Sequence, residues 1–438
     1  MKSVRIGSGA GFAGDRIDPA IQLAEFGRLD FLVFECLAER TIALSQLRKR
    51  EDPDAGYDPL LVDRMSAVLP ACRRNGTRVI GNMGAANPRS AARKTVEIAR
   101  SLGLQGLRVA WVEGDDVLHL KHAFKPFEDQ PLPDPQTYLS ANAYLGADSV
   151  AEALDRGADV VLTGRVADPS LFLGPLLHAF DWDVNSWDPL GQGIVVGHLL
   201  ECAGQLTGGY FADPGYKDVP DIDRLGFPLA EIDEDGSALL TKLDGSGGMI
   251  NMQTCREQLL YEVMDPSSYV TPDVTADFTG VRFEQEAPNR MRVWGGRGTT
   301  RPRDYKVSVG IHEGALAEGQ ISYAGPGALA RAELARDILE KRLATGHTQA
   351  LRFDIIGLNA LHGTAREQTI PYEVRLRAAA RYANEAGAKC LAREVESLYL
   401  NGPAGGSGVT YSARENIAVV PALIARDLVT TTVWIEEA

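Results

Sequence analysis

Cysteine is scarce in this sequence, and the few cysteines are widely spaced. The chain has 438 residues and 5 cysteines. No two of them form a C-x-x-C pair, so neither a zinc knuckle nor a disulfide framework is predicted. We therefore expect the protein to work in the reducing cytoplasm. The cysteines are Cys36, Cys72, Cys202, Cys255 and Cys390.

Long apolar runs and a signal-peptide pattern are also missing. No apolar run approaches the roughly 20 residues that cross a bilayer. The N-terminus leads directly into a predicted strand rather than into a signal peptide. We therefore expect no membrane association and a cytoplasmic location.

Positive charge is in deficit. The chain carries 45 Lys and Arg against 59 Asp and Glu, a formal net charge of −14. This balance disfavours a nucleic acid partner, because phosphate backbones bind basic surfaces. It does not exclude an anionic small molecule, which needs only one or two local arginines or backbone N–H groups. The length predicts two or three domains.

The first half of the chain alternates apolar runs with amphipathic helical patterns. Repeated β–α units of this kind indicate a mostly parallel sheet with helices on its faces. We predict a Rossmann-like α/β domain over residues 1–215. Its predicted strands are Val4–Ser8, Asp30–Glu35, Arg78–Asn82, Leu107–Val112 and Asp159–Thr163.

Polar, glycine-rich segments follow each of these strands. Because the carboxyl ends of parallel strands meet at one edge of a sheet, these segments are expected to line a common crevice. The candidates there include Glu35, Asn82, Arg165 and Asp168. Loops are polar in any case, so a purely structural role stays open for each of them.

The first of these loops has a G-x-G-x-x-G spacing at Gly9, Gly11 and Gly14, and Glu35 closes the next strand. That pattern is typical of a dinucleotide site. Asp18 and Pro19, however, indicate a helix that begins several residues late. A loop that lines another kind of pocket, or a structural turn, therefore remains an alternative.

A polar stripe marks the helix predicted over Ile194–Leu206. His198, Glu201, Cys202 and Gln205 share one face at helical spacing, and such a stripe needs a partner, water or a ligand. A satisfied internal network or a solvent face is the bland alternative. The His–x–x–Glu spacing also leaves a divalent metal open, although we predict no metal site and name no cofactor.

The second half reads as an α+β domain over residues 216–438. Antiparallel strands are predicted at Val281–Gln285, Met291–Trp294, Lys306–His312 and Gly319–Tyr323, and helices near Thr254–Met264, Ala328–Ala344 and Pro371–Ala386. Glycine loops near Gly247 and Gly248, and near Gly405 and Gly406, can cradle an anion with their N–H groups. Tight turns are the alternative.

Four segments in order resemble the AtuA family of acyclic terpene utilisation: Gly7–Arg16, Asp159–Ser170, His198–Asp213 and Asn401–Gly406. The resemblance implies a catabolic role in the degradation of citronellol, geraniol or other branched acids through CoA thioesters. Some relatives carry a small C-terminal domain of ferredoxin-like fold. We expect that domain to be absent here or supplied by a separate partner subunit.

Three functions follow as hypotheses. The first is a hydratase or lyase acting on a branched carboxylate or its CoA thioester, which needs an acid, a base and an oxyanion stabiliser. The second is an NAD-dependent dehydrogenase that uses the Gly9–Gly14 loop. The third is a non-catalytic subunit of a complex with a small ferredoxin-like partner. We also expect a homo-oligomer.

The predicted site residues fall into two groups. Arg165, Asp168, His198 and Glu201 are the predicted catalytic residues. The predicted substrate-binding residues are Gly9, Gly11, Gly14, Glu35, Asn82, Gly209, Asp213, Gly247, Gly248, Asn401, Gly405 and Gly406.

Overall fold

The computed structural model describes residues 2–344, 349–363 and 371–438, without the side chain of residue 349. The chain forms two compact units. The first comprises Met1–Gly310 together with Val419–Ala438, and the second comprises Ile311–Ala418. The predicted boundary at residue 215 therefore falls inside the first unit. Composition changes there, but strands on both sides of it join one sheet.

A ten-stranded mixed sheet organises the first unit, in the order β12-β13-β9-β8-β1-β2-β3-β7-β4-β19. Its strands are β1 (Ser3–Ala10), β2 (Phe31–Phe34), β3 (Arg78–Gly81), β4 (Arg108–Glu113), β7 (Val160–Leu162), β8 (Pro228–Asp233), β9 (Ala238–Lys242), β12 (Arg282–Ala287), β13 (Arg290–Trp294) and β19 (Thr432–Glu437).

The parallel part of this sheet confirms the five strands predicted for the first half. β1, β2, β3, β7 and β4 pair in parallel, each with its neighbour in that order. The Rossmann-like description is not confirmed. β1 lies between β2, which is parallel, and β8, which is antiparallel, so the order of parallel strands does not reverse at β1 as it does in that fold.

Helices cover both faces of the sheet, which explains why its strands are continuous apolar runs. In β2, Phe31 and Val33 face one hydrophobic core, and Leu32 and Phe34 face the other. The helices are α1 (Asp18–Phe26), α2 (Glu39–Glu51), α3 (Leu61–Asn75), α4 (Pro88–Ser101), α5 (Asp148–Asp155), α6 (Ser170–Phe180), α7 (Trp187–Glu201) and α8 (Met252–Leu260).

Several short strands complete the first unit. β10 (Tyr269–Val270), β11 (Thr275–Asp277) and β14 (Arg297–Thr299) form a small antiparallel sheet. β5 (Lys125–Pro126) pairs with the last part of β18 (Ser407–Ala425), and β6 (Tyr138–Ala143) pairs with β15 (Asp304–Ala324).

The second unit has the element order βαββαβ. It contains the end of β15, α9 (Ala328–Leu343), β16 (Gln349–Ile356), β17 (Glu373–Tyr382), α10 (Glu385–Asn401) and the start of β18, with strand order β16-β17-β15-β18. This order is typical of a ferredoxin-like unit. The chain thus contains a unit of that topology itself, whereas a separate partner subunit stays a prediction.

Two predictions for the second half are corrected. Lys306–His312 and Gly319–Tyr323 are parts of one long strand, β15. The helix predicted over Pro371–Ala386 is wrong, because Glu373–Tyr382 is strand and the helix begins at Glu385. Val374, Leu376, Ala378, Ala380 and Tyr382 are buried at every second position, and this two-residue period outweighs the helix propensity of the alanines.

No helix in the part of the chain that the structure describes has both the length and the apolar character needed to cross a bilayer.

Candidate functional site

Glu35 and Asn82 meet where β2 and β3 end. The side-chain N–H of Asn82 donates to Oε1 of Glu35 over 2.9 Å, and the backbone N–H of Leu37 donates to the same oxygen over 2.8 Å. Asn82 also accepts the backbone N–H of Cys36 at 2.6 Å. The two strand ends are thereby tied together, with a glutamate that is only 8% exposed.

Arg165 follows β7 and is buried at the same edge of the sheet. It is 1% exposed, and its Nη2 atom pairs with Oδ1 of Asp168. The guanidinium carbon lies 4.3 Å from the centre of the Tyr144 ring. Its Nε and Nη1 atoms have no hydrogen-bond partner among the described residues. A buried cation with unused donors is costly, so these N–H groups are suited to binding an anionic group.

Asp115, which follows β4, holds the Arg165 turn in place. Its Oδ2 accepts the backbone N–H of Arg165 at 2.9 Å and the side-chain N–H of Asn142 at 2.8 Å. A Cβ atom on Gly164 would lie 2.5 Å from both carboxylate oxygens of Asp115. Only glycine therefore lets the turn pack this closely, and burial raises the pKa of Asp115 to about 6.

A second group of polar residues reaches Arg165 from outside the predicted set. The Tyr144 hydroxyl donates to Oε1 of Glu39, and Nζ of Lys306 lies 3.3 Å from the same oxygen. Lys306 also lies 4.8 Å from the centre of the Tyr144 ring, and Ser308 is 3.4 Å from the Tyr144 hydroxyl. The ring thus contacts two cations, Arg165 and Lys306.

The two glutamates near Arg165 have opposite pKa shifts. Burial, reinforced by the charge of Asp168, raises the pKa of Glu35 to about 8. Burial also acts to raise the pKa of Glu39, but the Tyr144 hydrogen bond and the cations Arg165 and Lys306 lower it to about 2. Near neutral pH the first glutamate is mainly protonated and the second is ionised.

Asp168 keeps 38% of its side chain accessible even though Arg165 beside it is buried. Burial raises its pKa, while Arg165 acts in the opposite direction and favours the carboxylate. Its carboxyl group therefore combines access to water with a neighbouring cation, which suits a group that accepts a proton.

His198 and Glu201 form a buried pair at the end of α7. Nδ1 of His198 lies 2.9 Å from Oε1 of Glu201, and the imidazole packs against the rings of Tyr269 and Phe278. Burial lowers the pKa of His198 to about 4, and burial raises the pKa of Glu201 well above its usual range. Both side chains are therefore neutral near pH 7, and His198 orients Glu201.

The glycine loop is built into the protein rather than left open to a pyrophosphate. The Gly11 N–H donates to Oδ2 of Asp15 at 2.9 Å, and a Cβ on Gly11 would lie 2.5 Å from the Cys202 backbone. Gly9 lies in β1, and α1 begins at Asp18, well beyond Gly14. The geometry disfavours the dinucleotide interpretation, which requires free N–H groups at a helix start.

Arg64 anchors this loop and is a residue that the sequence patterns did not single out. It is fully buried on α3 and donates to the carbonyls of Phe12, at 3.4 Å, and Ala13, at 2.9 Å. Its Nη1 lies 3.1 Å from Sγ of Cys36 and 3.2 Å from Oδ2 of Asp58. The loop is therefore linked to the residue next to Glu35.

Four other predicted binding residues of the first unit have structural partners. The Gly209 N–H donates to the Gly204 carbonyl, and those of Gly247 and Gly248 donate to the carbonyls of Arg224 and Pro220. These N–H groups are not free to cradle an anion. Asp213 is exposed, and its backbone forms a turn with Lys217.

The last three predicted residues lie in the second unit. The Asn401 side chain donates to the Ser397 carbonyl at 3.1 Å. Gly405 lies next to Arg331, which donates to the Ala404 carbonyl at 3.1 Å, and Gly406 packs near Tyr323. These contacts give the loop a role within its own unit.

No group of three or more His, Cys, Asp or Glu side chains is arranged to hold a metal within residues 2–344, 349–363 and 371–438. The His198–Glu201 pair has the helical spacing of a metal site, but the two side chains bond to each other.

The residues missed by sequence reasoning have one cause in common. Glu39, Tyr144 and Lys306 come from α2, from the segment after β6 and from β15, so no local pattern connects them. The Glu39 position at the start of α2 was the available signal, because an acid is favoured there. Tyr144 and Lys306 carry no comparable signal.

The strand-end geometry defines an α/β protein with a buried arginine among carboxyl groups at the carboxyl edge of its sheet. A family profile described as "Acyclic terpene utilisation family protein AtuA" matches residues 4–435. The chain belongs to this family, which implies a role in acyclic terpene utilisation. Neither a curated protein nor a solved structure matches the chain.

Proposed function

We propose that the protein is a hydratase or lyase of acyclic terpene catabolism that acts on a branched carboxylate or its CoA thioester. The observation that carries the proposal is the buried Arg165, whose Nε and Nη1 have no partner among the described residues. It lies beside Asp168 and within electrostatic reach of Glu35.

Arg165 is suited to bind the carbonyl or carboxylate oxygen of the substrate. Two guanidinium N–H groups in a fixed plane match two carboxylate lone pairs, or stabilise the oxyanion of an enolate. Burial strengthens this interaction because water does not compete for the donors.

Glu35 is suited to supply the proton. Its Oε1 accepts hydrogen bonds from Asn82 and Leu37, which leaves Oε2 to carry the acid proton. A pKa of about 8 keeps that proton in place at neutral pH, and a proton donor works best when its pKa is close to the working pH.

In the hydration direction, the Asp168 carboxylate accepts a proton from water while the water oxygen bonds to the β-carbon. The electron pair of the double bond moves to the carbonyl oxygen, where Arg165 stabilises the enolate. Glu35 then transfers its proton to the α-carbon. Dehydration is the same sequence reversed.

The test is a turnover assay on a panel of branched acyclic 2-enoic acids, 3-hydroxy acids and their CoA thioesters. Mass spectrometry in heavy-oxygen water detects the added oxygen directly. The wild-type protein is expected to interconvert at least one pair, and Arg165→Lys is expected to lose most of the rate because lysine lacks the planar fork.

Arg89→Lys is the matched control, since Arg89 is exposed on α4. It is expected to leave turnover unchanged. Failure of the wild-type protein to incorporate heavy oxygen into any member of the panel would contradict the proposal, as would full activity in Arg165→Lys.

A further inference from the structure

Three cavities of the first unit adjoin one another along α7 and α8. The first has a volume of about 470 Å³, and its lining includes Gly11, Phe12 and Ile222. A small cavity of about 60 Å³ shares Gln205, Tyr210 and Tyr261 with it. A third, of about 610 Å³, shares Tyr261 with both. The shared walls make them one groove, called here the α8 groove.

The two ends of the α8 groove differ in polarity. Phe12, Ile222, Leu225 and Phe227 make the inner end largely apolar. There Asp15 is already engaged by two backbone N–H groups. The outer end is lined by charged residues, among them Lys217, Arg256, Glu257 and Glu262. A ligand that matches this gradient has an apolar chain and a polar end.

The narrow middle of the groove carries an unsatisfied acceptor. Gln258 lines the middle cavity and is 1% exposed. Its Nε2 donates to the His198 carbonyl at 3.0 Å, but its Oε1 has no partner in the described part of the chain. A buried carbonyl oxygen without a donor is destabilising by about 1–3 kcal/mol, so this position is suited to a hydroxyl donor of a ligand.

We infer that the α8 groove binds a branched aliphatic chain bearing a hydroxyl group, with the chain at the inner end and the hydroxyl donating to Oε1 of Gln258. This inference rests on the proposed function only for the choice of an isoprenoid chain. It adds Phe12 and Ile222 as residues that determine chain specificity. A hydration product of a branched acid has this chemistry.

Binding of unreactive probes tests the groove separately from turnover. The probes are geraniol, its methyl ether, which lacks the hydroxyl donor, and citronellic acid, titrated into the full chain by calorimetry. Geraniol is expected to bind at least tenfold more tightly than its ether. Equal affinities would overturn the role of Gln258 and indicate that water satisfies its Oε1.

Filling the inner end tests the location. Ile222→Trp adds bulk at a residue that is 44% exposed, so the fold is expected to tolerate it, while Met264→Trp introduces the same side chain at a residue that is 98% exposed. The first variant is expected to weaken geraniol binding at least tenfold and the second to leave it unchanged. Unchanged binding in Ile222→Trp would overturn the inference.

The two proposals fail in different ways. Geraniol binding that Ile222→Trp weakens, without any turnover of the acid and thioester panel, would leave the groove standing and remove the hydratase. Heavy-oxygen incorporation without detectable geraniol binding would do the reverse.

Discussion

Asn82 donates a hydrogen bond of 2.9 Å to Oε1 of Glu35. The same glutamate oxygen accepts the Leu37 N–H at 2.8 Å. Because both donors approach one oxygen, the acid proton is placed on the other. The contact links the ends of two parallel strands and makes this glutamate a proton donor rather than a general negative charge.

Replacing Glu35 by glutamine is expected to lower kcat by about 10²–10⁴, the usual contribution of a general acid. In the wild-type protein, kcat in the hydration direction is expected to fall as pH rises through about 8, since the protonated form is then lost. A kcat–pH profile measured on both proteins checks this. Glu284→Gln, on the exposed part of β12, is the control, and a profile that keeps the same alkaline limb in Glu35→Gln would contradict the assignment.

The same group is expected to make the fold less stable in alkali. The pKa of Glu35 is raised from 4.5 to about 8 in the folded protein, so its stabilising contribution is complete below pH 4.5 and is lost as pH rises towards 8. Each pKa unit corresponds to about 1.4 kcal/mol. Thermal unfolding between pH 5 and 9 is expected to show a smaller decline in Tm for Glu35→Gln. An equal decline in both proteins would count against the buried acid.

Asp115→Asn is expected to reduce kcat about tenfold, because the Arg165 turn loses one of the acceptors that hold it. Substrate KM and the pH profile are expected to change little, since Asp115 acts through Arg165. Asp116→Asn is the matched control, as Asp116 is exposed and contacts Gln46 instead. An equal loss of kcat in both variants would argue against a specific effect on Arg165.

His198→Ala is expected to destabilise the protein by about 2–4 kcal/mol, because it leaves a cavity between Tyr269 and Phe278. His198→Gln keeps a polar side chain near Glu201 and is expected to retain part of the activity with an unchanged pH profile. Denaturant unfolding and a kcat–pH curve measure the two effects. Loss of a pH limb in His198→Gln, without loss of stability, would instead support direct proton transfer by the histidine.

NAD is expected to leave Tm unchanged, because the N–H of Gly11 is already used and α1 begins only at Asp18. A dinucleotide at 100 times its Kd would stabilise the fold by about 2.7 kcal/mol, which a thermal-shift assay detects easily. A clear rise in Tm with NAD would revive the dehydrogenase hypothesis.

Local patterns were sufficient for the parallel half of the sheet. Each run such as Phe31–Phe34 is apolar at every position because two cores cover it, and each strand end exposes a polar loop. Chain order alone therefore predicted that Glu35, Asn82 and Arg165 gather at one edge. The period of two in Glu373–Tyr382 was available as well, but the alanine-rich composition hid it.

What the sequence determined by itself was the local chemistry: which segments form parallel strands, and which polar residues follow them. The tertiary structure decided the rest. It added the antiparallel strands beside β1 and β4, and it brought Glu39, Tyr144 and Lys306 to Arg165. The physical reason is that strand pairing and charge clustering join residues that are distant along the chain, whereas propensity and periodicity report only on neighbours.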